Sequence, residues 1–234
     1  MDFQRIVAPL VSYNPSQIDK VNFGSGFLVR VNNEIFLATV AHLADPILAP
    51  RSDWTKWSEE IHLVNPTSGT DGGAIDLIET YPLFTEDLRG QRSPVFKYHL
   101  REDKHGTIVD AILIPVPHGS HLKSSYQHFD LPNDIGSHRP LTEVLQLGRR
   151  DEFPALNVSH HLSTTSSGPL RFAAPEGRSG DSGGPAVDLD GHLLGLNVGS
   201  HAQAPEQAMM MSPEAIEAIA NSKDGVAPNW PQFQ

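Results

Sequence analysis

The chain has 234 residues, enough for one domain or two small ones, and none of them is cysteine. A formal charge of −11, with no run of Lys or Arg interleaved with aromatics, argues against a nucleic-acid partner held by bulk electrostatics. No apolar run is long enough to cross a bilayer, so no membrane partner is expected either. The N-terminus lacks the charged-then-apolar pattern of a secretory signal. With no thiols to oxidise and core packing as the only staple, the expected location is cytoplasmic.

Nineteen glycines and nineteen prolines point to many turns between short strands, since these two residues usually make up roughly 12% of a chain between them. In chain order, strand-like runs are predicted at Arg5–Val11, Gly26–Val31, Glu34–Val40, Ala74–Thr80, Val95–Leu100 and Ile108–Val116. Asn32-Asn33 reads as a hairpin turn between the second and third runs. Residues 117–140 are polar and rich in His, Ser and Pro, and read as a connector. Beyond it come Glu143–Leu147, Ser159–Ser163, Leu170–Ala174, Pro185–Asp188, His192–Val198 and Ala208–Met211, with a second hairpin turn at Asp190-Gly191. Ser212 to Ile219 is the clearest helix, opened by a capping serine and a first-turn proline. Ala227–Gln234 reads as a loose tail. The organisation expected is therefore residues 1–116, the connector 117–140, and residues 141–234.

Twelve histidines invite a metal reading, but none stands at a recognised ligand spacing. His160 and His161 are adjacent and would face opposite sides of a strand. His118 and His121 have no partner. No metal is expected, and Arg149-Arg150 reads as a solvated pair.

The densest signal is Gly177 to Pro185, Gly-Arg-Ser-Gly-Asp-Ser-Gly-Gly-Pro. It places one hydroxyl, Ser182, in a glycine-rich loop. The Gly180 and Ser182 amides would then point at one spot as an oxyanion hole. Asp181 would hold the loop rigid by pairing inward. A serine nucleophile needs a base, and the base needs an orienting carboxylate. His42 is the strongest base candidate, because Glu34 to Ala41 is an apolar strand-like run ending in small residues. For the carboxylate, Asp110 lies inside the apolar run Ile108 to Pro115, where a charge demands a partner. Asp76, in Ala74 to Ile78, is the rival; its run alternates as a half-exposed strand does. Gly180 to Gly184 also satisfies the G-x-S-x-G pattern of α/β-hydrolases. Gly-Gly-Pro after the serine is poor helix material, and only His192 and His201 follow it.

The Gly-Asp-Ser-Gly-Gly-Pro stretch resembles the nucleophile loop of trypsin-like, chymotrypsin-fold serine peptidases. Gly24-Ser25-Gly26-Phe27-Leu28-Val29 and Thr39-Val40-Ala41-His42 resemble the strands around that family's histidine. The likeness is to the cysteine-free bacterial and viral type. It implies an all-β fold of two packed antiparallel six-stranded β-barrels with a short C-terminal helix and a cleft between the barrels. It implies a serine endopeptidase with His42, Asp110 and Ser182 as triad, the amides of Gly180 and Ser182 as oxyanion hole, and no cofactor. Glu176, Asn197 and Ser200 would line the pocket for the residue before the scissile bond. Glu176 would favour a basic side chain if it lies at the base; otherwise Asn197 and Ser200 make a neutral polar pocket. The substrate would be a protein or peptide, and a regulatory partner is conceivable. Arg5-Ile6-Val7 resembles an activation site cut before Ile-Val, although Ala8-Pro9 replaces the family's Gly-Gly. The rival from another class is a binding module that uses the same cleft without cleaving.

Overall fold

Short alternating runs broken by turn residues build the molecule. The computed structural model describes residues 2–15, 20–48, 51–68, 75–100, 108–149, 153–178, 180–201 and 204–222. A 3-10 turn (Phe3–Arg5), capped by the Asp2 carboxylate, leads into β1 (Ala8–Tyr13), β2 (Val21–Val31) and β3 (Glu34–Thr39). Helix α1 (Ala41–Ala44) follows at once, then β4 (Glu60–Val64), β5 (Leu77–Pro82), β6 (Phe84–Glu86), β7 (Arg92–Pro94) and β8 (Ile112–Pro115). Helix α2 (His121–Ser125) and β9 (His128–Asp130) lie within the stretch expected to be a plain connector. The second half holds β10 (Glu143–Arg149), β11 (Leu156–Ser167), β12 (Leu170–Ala174), β13 (Pro185–Val187), β14 (Leu193–His201), β15 (Ala204–Met211) and helix α3 (Pro213–Ala220).

The second half closes as expected into a six-stranded barrel, β10-β11-β12-β15-β14-β13, with every pairing antiparallel. The first half departs from expectation. Its strands run β5-β4-β1-β2-β3-β8, with β9 added in parallel to β2, and β5 and β8 are not paired among the described residues. The gap is spanned by residues 95–100, predicted as a strand. Lys97 and Leu113 exchange both backbone bonds at 2.8 and 3.0 Å, and Val95 N–H donates to Leu83 C=O at 3.0 Å. Rings rather than a continuous ladder hold this stretch. Phe96 stacks on Trp57 at 5.7 Å, and Trp54 meets Phe84, Phe96 and Tyr98 edge-on or tilted.

Both hairpin predictions hold. Asn32 and Asn33 have φ of 49° and 68°, the left-handed pair that a two-residue turn of this hand requires. Gly191 has φ of 88° and donates to Asp188 C=O. β10 explains its own apolar run. Val144 packs inside the barrel with Ala173, Ala186, Leu194 and Met210, while Leu145 and Leu147 face the larger core shared with the first half. Helix α3 docks Ala215, Ile216 and Ile219 into that core, and Ser212 caps it by accepting from Ala215 N–H. Among the described residues no helix is long and apolar enough to cross a membrane.

Candidate active site

β3 delivers its apolar residues to the core, and the chain turns at Val40 into α1, where His42 is the second residue. The first backbone N–H groups of a helix lack intrahelical acceptors. Asp110 supplies one: its Oδ1 accepts from His42 N–H at 2.9 Å and its Oδ2 from His42 Nδ1 at 2.7 Å. One carboxylate thus fixes both the main chain and the ring of His42. Because a carboxylate only accepts, the proton sits on Nδ1 and the Nε2 lone pair is left to act as a base. Burial alone would lower the pKa of His42, but the Asp110 hydrogen bond and charge outweigh it, and the net shift is upward. Asp110 does not lie within a strand. It occupies a bend just before β8, braced where Val109 N–H donates to His99 C=O at 2.7 Å. The rival, Asp76, is exposed and accepts from Asn65 Nδ2 at 3.1 Å.

The Ser182 loop is built almost wholly from main chain. Asp181 N–H donates to Arg178 C=O at 3.1 Å, and Gly184 N–H to Asp181 C=O at 2.9 Å. Asn197 on β14 brackets the loop, accepting from Gly183 N–H at 2.8 Å and donating to Gly184 C=O at 2.9 Å. Gly180 and Gly183 hold φ of 92° and 85°. A Cβ at Gly183 would sit 2.0 Å from the Ser25 carbonyl oxygen, and one at Gly184 1.9 Å from that of Leu147. Asp181 is 2% exposed and lies over Gly148, where a Cβ would meet its Oδ1 at 2.4 Å. A trans peptide sends its C=O and N–H in opposite directions. With Asp181 C=O turned toward Gly184, the Ser182 N–H points away from it. Neither the Gly180 nor the Ser182 amide is hydrogen-bonded among the described residues, which leaves two donors for an incoming oxygen.

Gly24 is where the two sides meet. A Cβ there would touch Leu43, the neighbour of His42, at 3.1 Å and the Ser182 carbonyl oxygen at 3.6 Å. Ser182 is partly exposed, and its Oγ makes no hydrogen bond to His42 among the described residues.

The expected pocket residues separate. Gly177 packs against the Gly199 backbone and its C=O accepts from Ser200 Oγ at 3.3 Å, so the loop and β14 lie side by side with Glu176 and Ser200 exposed. Asn197 is buried, 3% exposed, with its Nδ2 3.5 Å from Pro185 C=O. The β14–β15 pairing slips between Asn197 and Gly199, which breaks the simple alternation from one to the other.

Arg149 is not solvated. It is 1% exposed and donates to the Val7, Gln4 and Pro154 carbonyls and to Gln4 Oε1, at 2.7 to 3.2 Å. This pins the N-terminal segment into the fold. Ile6 and Val7 are buried and their amides bond to Phe3 C=O, so the stretch resembling an activation site is already docked without a cut. Asp188, Asp190 and His192 also draw together, a grouping the spacing rules passed over. Asp188 accepts from His192 N–H at 2.8 Å and faces its Nδ1 at 3.2 Å, bonds that belong to the hairpin. A cleft of about 210 Å³ beside it, lined by Ile6, His128 and Asp134 among others, contains none of His42, Asp110 and Ser182.

No protein-family model and no curated protein matches the sequence. Solved structures match over most of its length. The Rv3671c protease of M. tuberculosis, in its active form, is 17% identical with a TM-score of 0.57, over 97% of this chain and 84% of that one. The MamO protease domain of Magnetospirillum magneticum is 17% identical with a TM-score of 0.53, over 94% of this chain and 97% of that one. The protease Anisep of Arthrobacter nicotinovorans is 12% identical with a TM-score of 0.54, over 89% and 90%. At these identities the likeness concerns the backbone. Together with the closed second barrel, the sheet of the first half and the C-terminal helix, it identifies the chymotrypsin-like fold.

Proposed function

We propose that the protein is a serine endopeptidase that cleaves peptide bonds through an acyl-enzyme. The observation that carries this reading is the two-point grip of Asp110 on His42, whose neighbour Leu43 meets the Ser182 backbone at Gly24, together with the two unengaged amides of the serine loop. In this mechanism Ser182 Oγ attacks the scissile carbonyl carbon while its proton passes to His42 Nε2. The carbonyl oxygen takes up the electron pair and is held by the Gly180 and Ser182 amides. His42 gives the proton to the leaving nitrogen as the C–N bond breaks, and the acyl group stays on Oγ. Water then adds to the ester carbonyl, its proton going to His42. Collapse of that adduct returns the proton to Oγ and frees the acid. Asp110 keeps its charge throughout and stabilises the imidazolium. Glu176 and Ser200 would flank the side chain preceding the scissile bond.

Reaction with a fluorophosphonate tests the reading. The wild type is expected to gain one adduct by intact mass, and Ser182→Ala none. Folded wild type that gains no adduct would overturn the peptidase reading. It would favour a module that binds peptide in the same cleft, with the Ser182–His42 bond left open.

A further inference from the structure

Ser25 on β2 is fully buried, and its polar atoms reach four separate places. Its N–H donates to Ser182 C=O at 3.1 Å. Its C=O accepts from Thr39 Oγ1 at 2.7 Å, three residues before His42. Its Oγ accepts from Arg149 N–H at 2.7 Å and donates to Gly180 C=O at 3.1 Å. The hydroxyl has a single proton to give, and the Arg149 amide is itself a donor. The direction is therefore fixed: Arg149 N–H to Ser25 Oγ, and Ser25 O–H to Gly180 C=O.

The position of that last bond matters. Gly180 C=O belongs to the peptide between Gly180 and Asp181, whose N–H end is held by Arg178 C=O. Ser25 therefore pins the other end. The Gly180 amide lies on one side of this peptide and the Ser182 amide on the other, and these are the two donors assigned to the oxyanion hole. Glycine at 180 has no side chain to limit rotation about its backbone, and its φ of 92° is one that other residues rarely hold. The Ser25 hydroxyl supplies a restraint that residue 180 lacks.

We infer that Ser25 is a positioning residue for the oxyanion hole, holding the Gly180 peptide at the angle that aims the Gly180 and Ser182 amides at one point. The inference rests on the peptidase reading above. It gives the first half of the molecule a part in oxyanion stabilisation as well as in supplying the base.

The test compares wild type with Ser25→Ala and Ser25→Cys, using p-nitrophenyl acetate carrying a ¹³C carbonyl. Cysteine fills the site but is a weak donor, so it serves as the second variant if the alanine protein does not fold. Melting temperature and circular dichroism report folding. Acylation kinetics report rate against KM, and infrared spectra of the acetyl-enzyme report how strongly the hole polarises the carbonyl. Losing a whole oxyanion donor costs roughly 100- to 1,000-fold, so misaiming the donors is expected to slow acylation by about tenfold or more with KM within about twofold. The carbonyl band is expected to move to higher frequency. A folded variant with an unmoved band and a near-wild-type rate overturns the role of Ser25 alone, whatever its melting temperature. Wild type that does not acylate overturns the peptidase reading and this inference with it.

Discussion

The two walls of the candidate site are held by different kinds of bond. On the first wall, His42 is fixed by one carboxylate that reaches it from 68 residues away. On the second, the Ser182 loop is fixed by main-chain bonds among Arg178, Asp181, Gly184 and Asn197, with glycines wherever a Cβ would strike a carbonyl. The first wall therefore responds to single side chains and to pH. The second holds largely as a unit, because apart from the Ser25 hydroxyl its contacts are made by main chain.

The largest expected effect comes from the first wall. Asp110→Asn removes the charge and offers an amide where the Nδ1 proton needs an acceptor. Where such a triad operates, this change lowers kcat about 10⁴-fold with the geometry kept, and a fall of at least about 10³-fold is expected here. The Asp110 charge raises the His42 pKa against the opposing pull of burial, so its loss should lower that pKa. The proposed mechanism requires neutral His42, so the acid limb of the pH–rate profile should move to lower pH. A rate within tenfold of wild type, or an acid limb that stays in place, would break the first half of the comparison.

On the second wall, Gly184→Ala places a methyl 1.9 Å from the Leu147 carbonyl oxygen and 3.1 Å from that of Asp181. Both obstacles are backbone. Overpacking of this kind costs about 1–3 kcal/mol and sometimes more, and the upper end is expected because neither neighbour rotates away. Gly119→Ala is the control, since nothing lies within 4 Å of its added Cβ. Urea midpoints should fall for the first variant and stay for the second. Equal midpoints would mean the loop is more compliant than its contacts imply.

This difference also explains what was legible in the sequence. A main-chain loop advertises itself, because its need for glycine is written in residue type; hence Gly180, Gly183 and Gly184 stand out around Ser182. Asp110 was legible for a different reason, as an acid in an apolar run. The role of Ser25 was not, since a small serine in a strand-like run signals no partner and its Oγ acceptor lies 155 residues away. Arg149 misled for the same reason: an arginine beside another reads as solvated, and its Val7 acceptor is 142 residues distant. β4 was missed because its five residues, Glu60-Ile61-His62-Leu63-Val64, carry the alternation of a strand only briefly. The open edge of the first sheet was hidden because Val95–Leu100 has strand-like composition, while its order comes from rings on residues 54 to 98.

The last effect is confined to acid pH, where it appears in stability, and it sharpens the contrast because it enters through the strut of the first wall. His99 is fully buried, and burial pushes its pKa down to about 4. The unfolded chain would protonate it near 6.5. Stability from a neutral buried His99 is therefore complete above about pH 6.5 and is lost progressively as pH falls toward 4, where about 3 kcal/mol has gone. His42 runs the other way. Its raised pKa contributes stability that is full below about 6.5 and fades as pH rises through the folded value. His99→Gln, neutral at every pH, should flatten the decline between pH 6.5 and 4 while lowering stability modestly at neutral pH. Because Val109 N–H hangs on the His99 carbonyl, amides of residues 108–115 should exchange faster at pH 5 before those of residues 180–187 do. An unchanged slope in the variant, or loss of protection first around Ser182, would place the acid-sensitive element on the second wall instead.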